Sequence, residues 1–265
     1  MPLRRYLRLY AAIWKNSVVR EMGFKSNFLL WIVVEFLWFA LQLGFIAVIY
    51  SHTERIATWT KWEVVLLIGS SQLIQQLFSA IFMSNCTQLS EHIRTGRLDF
   101  MLLLPVNTRF LVSFRQVDLG SFANAVTATT VVAYAAWQMH LELSIPQLAG
   151  YFFLIGCGVV IHYALVLSLA SISFWTVRAQ GIIWGYYSFL QIGRWPEAAF
   201  HGFFKAFFSL AVPMLLVTNV PAKHLIRRFE APTDLAILVG LTLGFLVLSE
   251  VVWRKSLQRY ASASS

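Results

Sequence analysis

The stretch HIRTGRLDFMLLLPV, residues 92–106, is too polar to cross a bilayer and too apolar to be an ordinary loop. Its Thr95-Gly96 pair predicts a helix break, and residues 97–104 predict a second short helix that ends at Pro105. The apolar side chains on one side of this helix are Phe100, Leu103 and Leu104. Such a helix is either a docking element for a partner protein or a helix that rests on the membrane surface.

Long apolar runs lie on both sides of this stretch, at residues 64–86 and 110–137, and others follow outward along the chain. A spanning helix needs about 20 apolar residues. The runs predict six transmembrane helices in a single domain over residues 1–265, an all-α integral membrane protein. The predicted spans are 28–50, 64–86, 110–137, 148–175, 179–193 and 235–253, of which 179–193 is the shortest.

The composition supports a membrane protein. The chain is 58% hydrophobic and 12% charged, whereas soluble domains carry about 25% charged residues. Its net charge is +9, but the basic residues flank apolar runs, which favours contact with lipid headgroups over a nucleic-acid partner. The two cysteines, Cys86 and Cys157, have no metal-ligand spacing, so no metal site is predicted.

Two segments do not read as spans. Residues 1–27 carry apolar side chains at spacings of three and four, which predicts a helix in the membrane interface. Residues 194–234 are apolar but interrupted by prolines, which predicts a re-entrant pair of short helices. The residues assigned to this re-entrant segment are Arg194, Pro196, Pro213 and Pro221.

The distribution of Lys and Arg predicts the orientation. With the N-terminus in the cytoplasm, 14 of the 21 basic residues fall in cytoplasmic segments and 7 in external ones. Cytoplasmic loops normally carry such an excess. Both termini and residues 87–109 are therefore expected on the cytoplasmic side, and residues 194–234 on the external side.

Three polar residues interrupt the predicted spans. Glu35 either lines a substrate path or hydrogen-bonds a neighbouring helix, since a carboxylate inside a bilayer must face protein or water. His162 is either a proton carrier on such a path or a packing partner between helices. Asp118 lies three residues after Arg115 and is expected to pair with it on one helix face.

The segment GRLDFMLLLPVN, residues 96–107, resembles the cytoplasmic coupling segment of type-2 ABC (ATP-binding-cassette) exporter permeases. It is similar to a bacterial six-span subfamily with the pattern G-x-L-D-x-x-L-L-x-P-V, although Leu104 stands where such proteins often have a basic residue. The motifs RWP at 194–196, VP at 212–213 and VPA at 220–222 are similar to the external end of the same subfamily.

This resemblance implies a permease that forms a dimer, with a second copy or a similar chain, in the bacterial inner membrane. Residues 87–109 would dock into a separate cytoplasmic ATPase subunit, which would bind ATP and Mg. The implied ATPase-coupling residues are Glu91, Arg94, Gly96, Arg97, Leu98, Asp99, Phe100, Leu103 and Pro105. The chain has no G-x-x-x-x-G-K-[ST] phosphate loop, so no ATP hydrolysis and no cofactor is expected in it.

The function implied is export of a hydrophobic or amphiphilic substrate from the cytoplasm or the inner leaflet. One alternative is an ATP-independent channel or secondary transporter. That class favours paired intramembrane charges or broken helices at mid-membrane, for which Glu35 and His162 are the candidates. An intramembrane enzyme would need a motif such as HExxH, which the sequence lacks.

Overall fold

The computed structural model describes residues 3–23, 25–176, 180–227 and 233–260. In these ranges the regular structure is helical, and the one β-type pairing is an isolated bridge between Ile56 and Trp59. The predicted all-α membrane fold is confirmed. The α-helices are α1 (Leu3–Gly23), α2 (Lys25–His52), α3 (Lys61–Phe78), α4 (Ser84–Thr87), α5 (Leu89–Arg94), α6 (Arg97–Leu102), α7 (Thr108–Phe114), α8 (Leu119–Gln138), α9 (Ile145–Ala170), α10 (Gln180–Phe189), α11 (Gly202–Ala206), α12 (Met214–Leu225) and α13 (Thr233–Gln258).

Five helical stretches among the described residues are long and apolar enough to cross a membrane. They are α2, the near-continuous helix Lys61–Arg94, α8, the helix Ile145–Phe174 and α13. A bent pair formed by Gly202–Ala211 and Met214–Leu225 raises the number to six if it counts as one span. The span predicted at 179–193 corresponds to α10 and a 3-10 turn at Leu190–Arg194, which are shorter than a membrane is thick. The predicted count of six spans therefore stays a prediction.

The helix α3 forms the centre of the fold and packs against α8, α9 and α12. Its contact with α8 is close at Gly69, where a Cβ atom would lie 2.8 Å from Cγ2 of Val132. Small residues let membrane helices approach in this way. By contrast, α2 presents a row of large exposed apolar side chains and has only two buried residues, Phe39 and Ile46.

A π-helical segment, Ser79–Met83, follows α3 and interrupts its regular hydrogen bonding. The backbone carbonyl of Ala80 in this segment accepts a hydrogen bond of 2.9 Å from the backbone N–H of Asp118. Just beyond it, Asn85 holds the backbone of Gln116 through both its amide nitrogen and its amide oxygen, at 2.8 and 2.9 Å. The irregular turn therefore binds the start of α8.

The region predicted as one span at 110–137 is divided into α7 and α8, with non-helical backbone between them. The expected pair of Arg115 and Asp118 is wrong for this reason, because the two residues do not share a helix face. Instead, Asp118 caps α8 by accepting hydrogen bonds from the backbone N–H and the hydroxyl of Ser121, at 3.2 and 2.8 Å. An aspartate at this position satisfies amide groups that the first helical turn leaves without partners.

The segment after α10 contains the bent pair. Residues Gly202–Ala211 and the helix α12 meet at 82°, and Pro213 stands at the junction, directly before α12. Proline has no N–H and cannot continue the preceding helix, which explains the break. Pro221 lies inside α12. This is the geometry of a broken span or a re-entrant pair.

Candidate functional site

The short helix α6 is fixed on one side and free on the other. Gly96 precedes it with φ +69°, a left-handed conformation that favours glycine and that separates α6 from α5. Leu98 and Met101 are buried against the protein. The predicted break at residues 95–96 and the predicted short helix are therefore present, but α6 ends at Leu102 and not at Leu104 as predicted.

The opposite side of α6 carries the docking face, defined as Arg97, Phe100 and Leu103. These residues recur at intervals of three, and their side chains point out of the protein. Phe100 is 72% exposed and Leu103 is 81% exposed, while Arg97 is also exposed. Pro105 follows in an exposed turn. Because large apolar side chains are rarely displayed in this way without a partner surface or a membrane, the face is suited to binding.

Asp99 has a role that the sequence did not predict. Its Oδ1 accepts a 2.8 Å hydrogen bond from the hydroxyl of Tyr260, which follows α13 at the C-terminal end of the chain. Burial, together with the carboxylate of Asp99, raises the pKa of Tyr260 to about 12, so the hydroxyl stays protonated and donates at neutral pH. Asp99 thus joins α6 to the last helix.

A second connection links the same region to two spans. Arg109 at the start of α7 donates to the hydroxyl of Tyr163 on α9 at 3.0 Å and to Oγ of Ser249 on α13 at 2.8 Å. It also pairs with Glu250, which in turn accepts from Arg254 at 2.5 Å. Side-chain hydrogen bonds and an ion pair of Arg109 therefore connect residues 87–109 to α9 and α13. Glu91 and Arg94 form a separate exposed pair at 2.9 Å.

A polar cluster lies inside the helical bundle at the end of the 3-10 turn Leu190–Arg194, which follows α10. The guanidinium of Arg194 donates to amide oxygens of three glutamines, Gln42 on α2 at 2.5 Å and Gln72 and Gln75 on α3, both at 2.9 Å. Its Nε is buried and has no acceptor. Gln76, the next residue on α3, donates to Glu35 at 3.2 Å.

These groups face two cavities. The cavity toward the C-terminal end of α2, called the outer cavity here, has a volume of about 500 Å³ and a wall of glutamine and aromatic side chains around Glu35 and Arg194. The inner cavity, of about 310 Å³, lies between α1, α2 and α8 and includes Asp118 and Asn124 in its wall. Glu35 lines both cavities. Of the two candidate substrate-path residues, Glu35 is therefore at a cavity wall.

His162 lies elsewhere. Its side chain is buried between α9 and α10, with Nδ1 at 2.7 Å from the hydroxyl of Tyr186 and its ring beside Phe78. It lines neither of these cavities. This environment is that of a packing partner between helices.

The segment from Pro196 to Pro221 is held by buried polar contacts. Lys223 on α12 pairs with Glu197, directly after Pro196, and lies 3.7 Å from Asp234 on α13. Asn219 on α12 accepts a hydrogen bond of 2.9 Å from the backbone N–H of Glu197. The sequence analysis identified the prolines of this segment but not the contacts of Lys223 and Asn219 with Glu197. A lysine and an asparagine within an apolar helix do indicate buried polar contacts.

The described residues contain no group of three or more His, Cys, Asp or Glu that could hold a metal ion.

Comparison with known proteins identifies one family. The family described as "ABC-2 family transporter protein" matches residues 36–264, which run from within α2 to beyond the end of α13. The match includes α6, the polar cluster at Arg194 and the bent pair. Neither the curated proteins nor the solved structures gave a match.

Proposed function

Because the chain belongs to the ABC-2 family of transporter proteins, we propose that it is the permease subunit of an ATP-driven exporter. The family implies an ATP-binding-cassette ATPase as a partner. In the proposed complex that partner binds ATP and Mg on the cytoplasmic side, and two permease chains, identical or similar, form the membrane part.

The observation that carries the proposal is the docking face on α6. It places two exposed apolar side chains and one exposed cation on a short helix whose other side is anchored in the protein. Force on this helix would reach α13 through the contact of Asp99 with Tyr260, and α9 through Arg109 and Tyr163. This is the arrangement required of an element that couples a cytoplasmic motor to membrane helices.

The partnership predicts a direct experiment. The tagged chain, extracted from its native membranes and purified by affinity, is expected to bring down an ATP-binding-cassette ATPase. The complex reconstituted in liposomes should hydrolyse ATP, whereas the permease alone should not. Recovery of the permease without any ATPase subunit, after mild extraction and crosslinking, would favour the ATP-independent channel or secondary transporter.

The proposed orientation places both termini in the cytoplasm, with the segment 194–234 outside, because basic residues are in excess on the side of the termini. Ser262→Cys tests it. Both native cysteines, Cys86 and Cys157, are buried, so the introduced thiol should dominate labelling. We expect a membrane-impermeant maleimide to label it in broken cells and not in intact ones. Equal labelling in intact and broken cells would show that the C-terminus is external and that the proposed orientation is wrong.

A further inference from the structure

The outer cavity combines a cation and an anion in a wall that is otherwise made of neutral glutamine, aromatic and aliphatic side chains. Its volume of about 500 Å³ is within the usual range of ligand sites, roughly 300–1,000 Å³. Arg194 and Glu35 both line it, held by the adjacent residues Gln75 and Gln76 of α3. The cavity therefore presents opposite charges at two neighbouring points of one wall.

The cationic end is rich in hydrogen-bond donors. Three glutamine oxygens accept from Arg194, an arrangement that requires the amide oxygens to face the guanidinium and the amide N–H groups to face away from it. These acceptors are neutral, and no described carboxylate lies within ion-pair distance of Arg194. Its buried Nε also lacks an acceptor. A phosphate group would supply an anionic acceptor that the neutral glutamine oxygens do not.

The anionic end is built for a cation. Glu35 and Trp38 lie three residues apart on α2 and both line the cavity. Residues at this spacing are neighbours on a helix surface. A carboxylate beside an indole ring attracts ammonium groups by charge and by cation–π contact. A ligand that is only anionic would meet repulsion from Glu35.

The rim of the cavity is apolar and open to the outside of the helical bundle. It is formed by Trp38, Leu41 and Phe45 of α2, whose side chains are largely exposed. An acyl chain can lie along this rim while a polar group occupies the cavity. Glu35 also lines the inner cavity, where the buried Oδ1 of Asn124 has no partner. A line of polar groups thus runs beside α2 from one cavity to the other.

The geometry points to a site for the headgroup of a zwitterionic amphiphile, with its phosphate at Arg194 and its ammonium group at Glu35 and Trp38. This inference rests on the proposed transport function only in taking the bound molecule to be the substrate. The acyl chains of the bound molecule lie along the exposed face of α2.

The test measures binding to the permease alone, so that its outcome is independent of any ATPase partner. Native mass spectrometry of the chain in maltoside detergent is used with lysophospholipids of one chain length that carry either phosphocholine or phosphoglycerol. Free glycerophosphocholine is the third probe. We expect phosphocholine lysolipid to bind roughly tenfold more tightly than phosphoglycerol lysolipid, since a desolvated charge contact distinguishes them. The free headgroup should bind more weakly than its lysolipid, because it lacks the contact with the rim.

Two variants identify the site. Glu35→Gln preserves the shape of the side chain and its hydrogen bond with Gln76, and should remove the preference by weakening phosphocholine binding and strengthening phosphoglycerol binding. Arg194→Lys should weaken both lysolipids severalfold, because lysine lacks the forked guanidinium. The matched controls are Glu54→Gln and Arg55→Gln, at exposed positions in the loop between α2 and α3, which should change neither affinity.

Three results would overturn the inference: equal affinity for the two lysolipids, a preference that survives Glu35→Gln, or glycerophosphocholine that binds as tightly as its lysolipid. Thermal unfolding of each variant is measured in parallel. If Arg194→Lys does not fold, the inference is tested by Glu35→Gln alone, through its loss of preference for phosphocholine lysolipid over phosphoglycerol lysolipid. An absent ATPase would refute the exporter and leave these affinities unchanged, so the two failures are distinguishable.

Discussion

Phe100→Ala is expected to weaken the complex of permease and ATPase by roughly 10- to 30-fold, since an aromatic anchor buried in a small docking site contributes about 1.4–2 kcal/mol of binding. Phe100 is 72% exposed in the chain, so its removal should leave the fold of the permease intact. Arg97→Ala should have a smaller effect that depends on salt, because a charge at the rim acts mainly on the association rate.

The measurement is co-purification in detergent at several salt concentrations, followed by ATP hydrolysis in liposomes. Phe203→Ala is the matched control, since Phe203 is 75% exposed at α11, far along the chain from the docking face. The interpretation fails if Phe100→Ala, Leu103→Ala and the control all assemble equally well. In that case α6 would be a helix that rests on the membrane surface.

Lys223→Met should lower the free energy of unfolding by about 3–5 kcal/mol, because it leaves the carboxylate of Glu197 without its partner in a buried place. The two side chains are only 10% and 13% exposed. The pair holds the residues after Pro196 against α12, and Asp234 at 3.7 Å adds α13 to the same contact. We expect the bent segment to lose its attachment first.

Unfolding by sodium dodecyl sulfate, followed by tryptophan fluorescence, measures this change. Lys205→Met is the control, since Lys205 is exposed on α11. The double variant Lys223→Met with Glu197→Gln should recover part of the loss, because it removes the unpaired charge as well. Similar stability of Lys223→Met and Lys205→Met would show that the pair contributes little.

The sequence predicted those features that depend on local pattern. Apolar runs of sufficient length predicted the membrane class, Gly96 predicted the break before α6, and Pro213 predicted the bend before α12. Hydropathy averaged over the length of a span did not reveal the division of the region 110–137, because the polar turn at residues 115–118 is short and lies between longer apolar runs. The helix cap formed by Asp118 marks where α8 begins after this turn.

The parts of the site that were missed depend on contacts between distant residues. Asp99 and Tyr260 are separated by 161 positions, and no spacing rule connects them. The three glutamines around Arg194 come from two helices, α2 and α3. Gln72 and Gln75 lie three residues apart in an apolar run, which predicts a shared polar face. The sequence could reveal that face but not the arginine that occupies it.

The π-helical segment Ser79–Met83 changes the rotation of the chain around the helix axis. Each residue of an α-helix advances the chain by about 100° around its axis, and a π-turn holds about one residue more than an α-turn. The extra residue therefore rotates the residues that follow it by about 100° around the axis, compared with an uninterrupted α-helix. The direction in which α5 continues the chain, and the direction in which α6 presents the docking face, therefore depend on this π-helical segment.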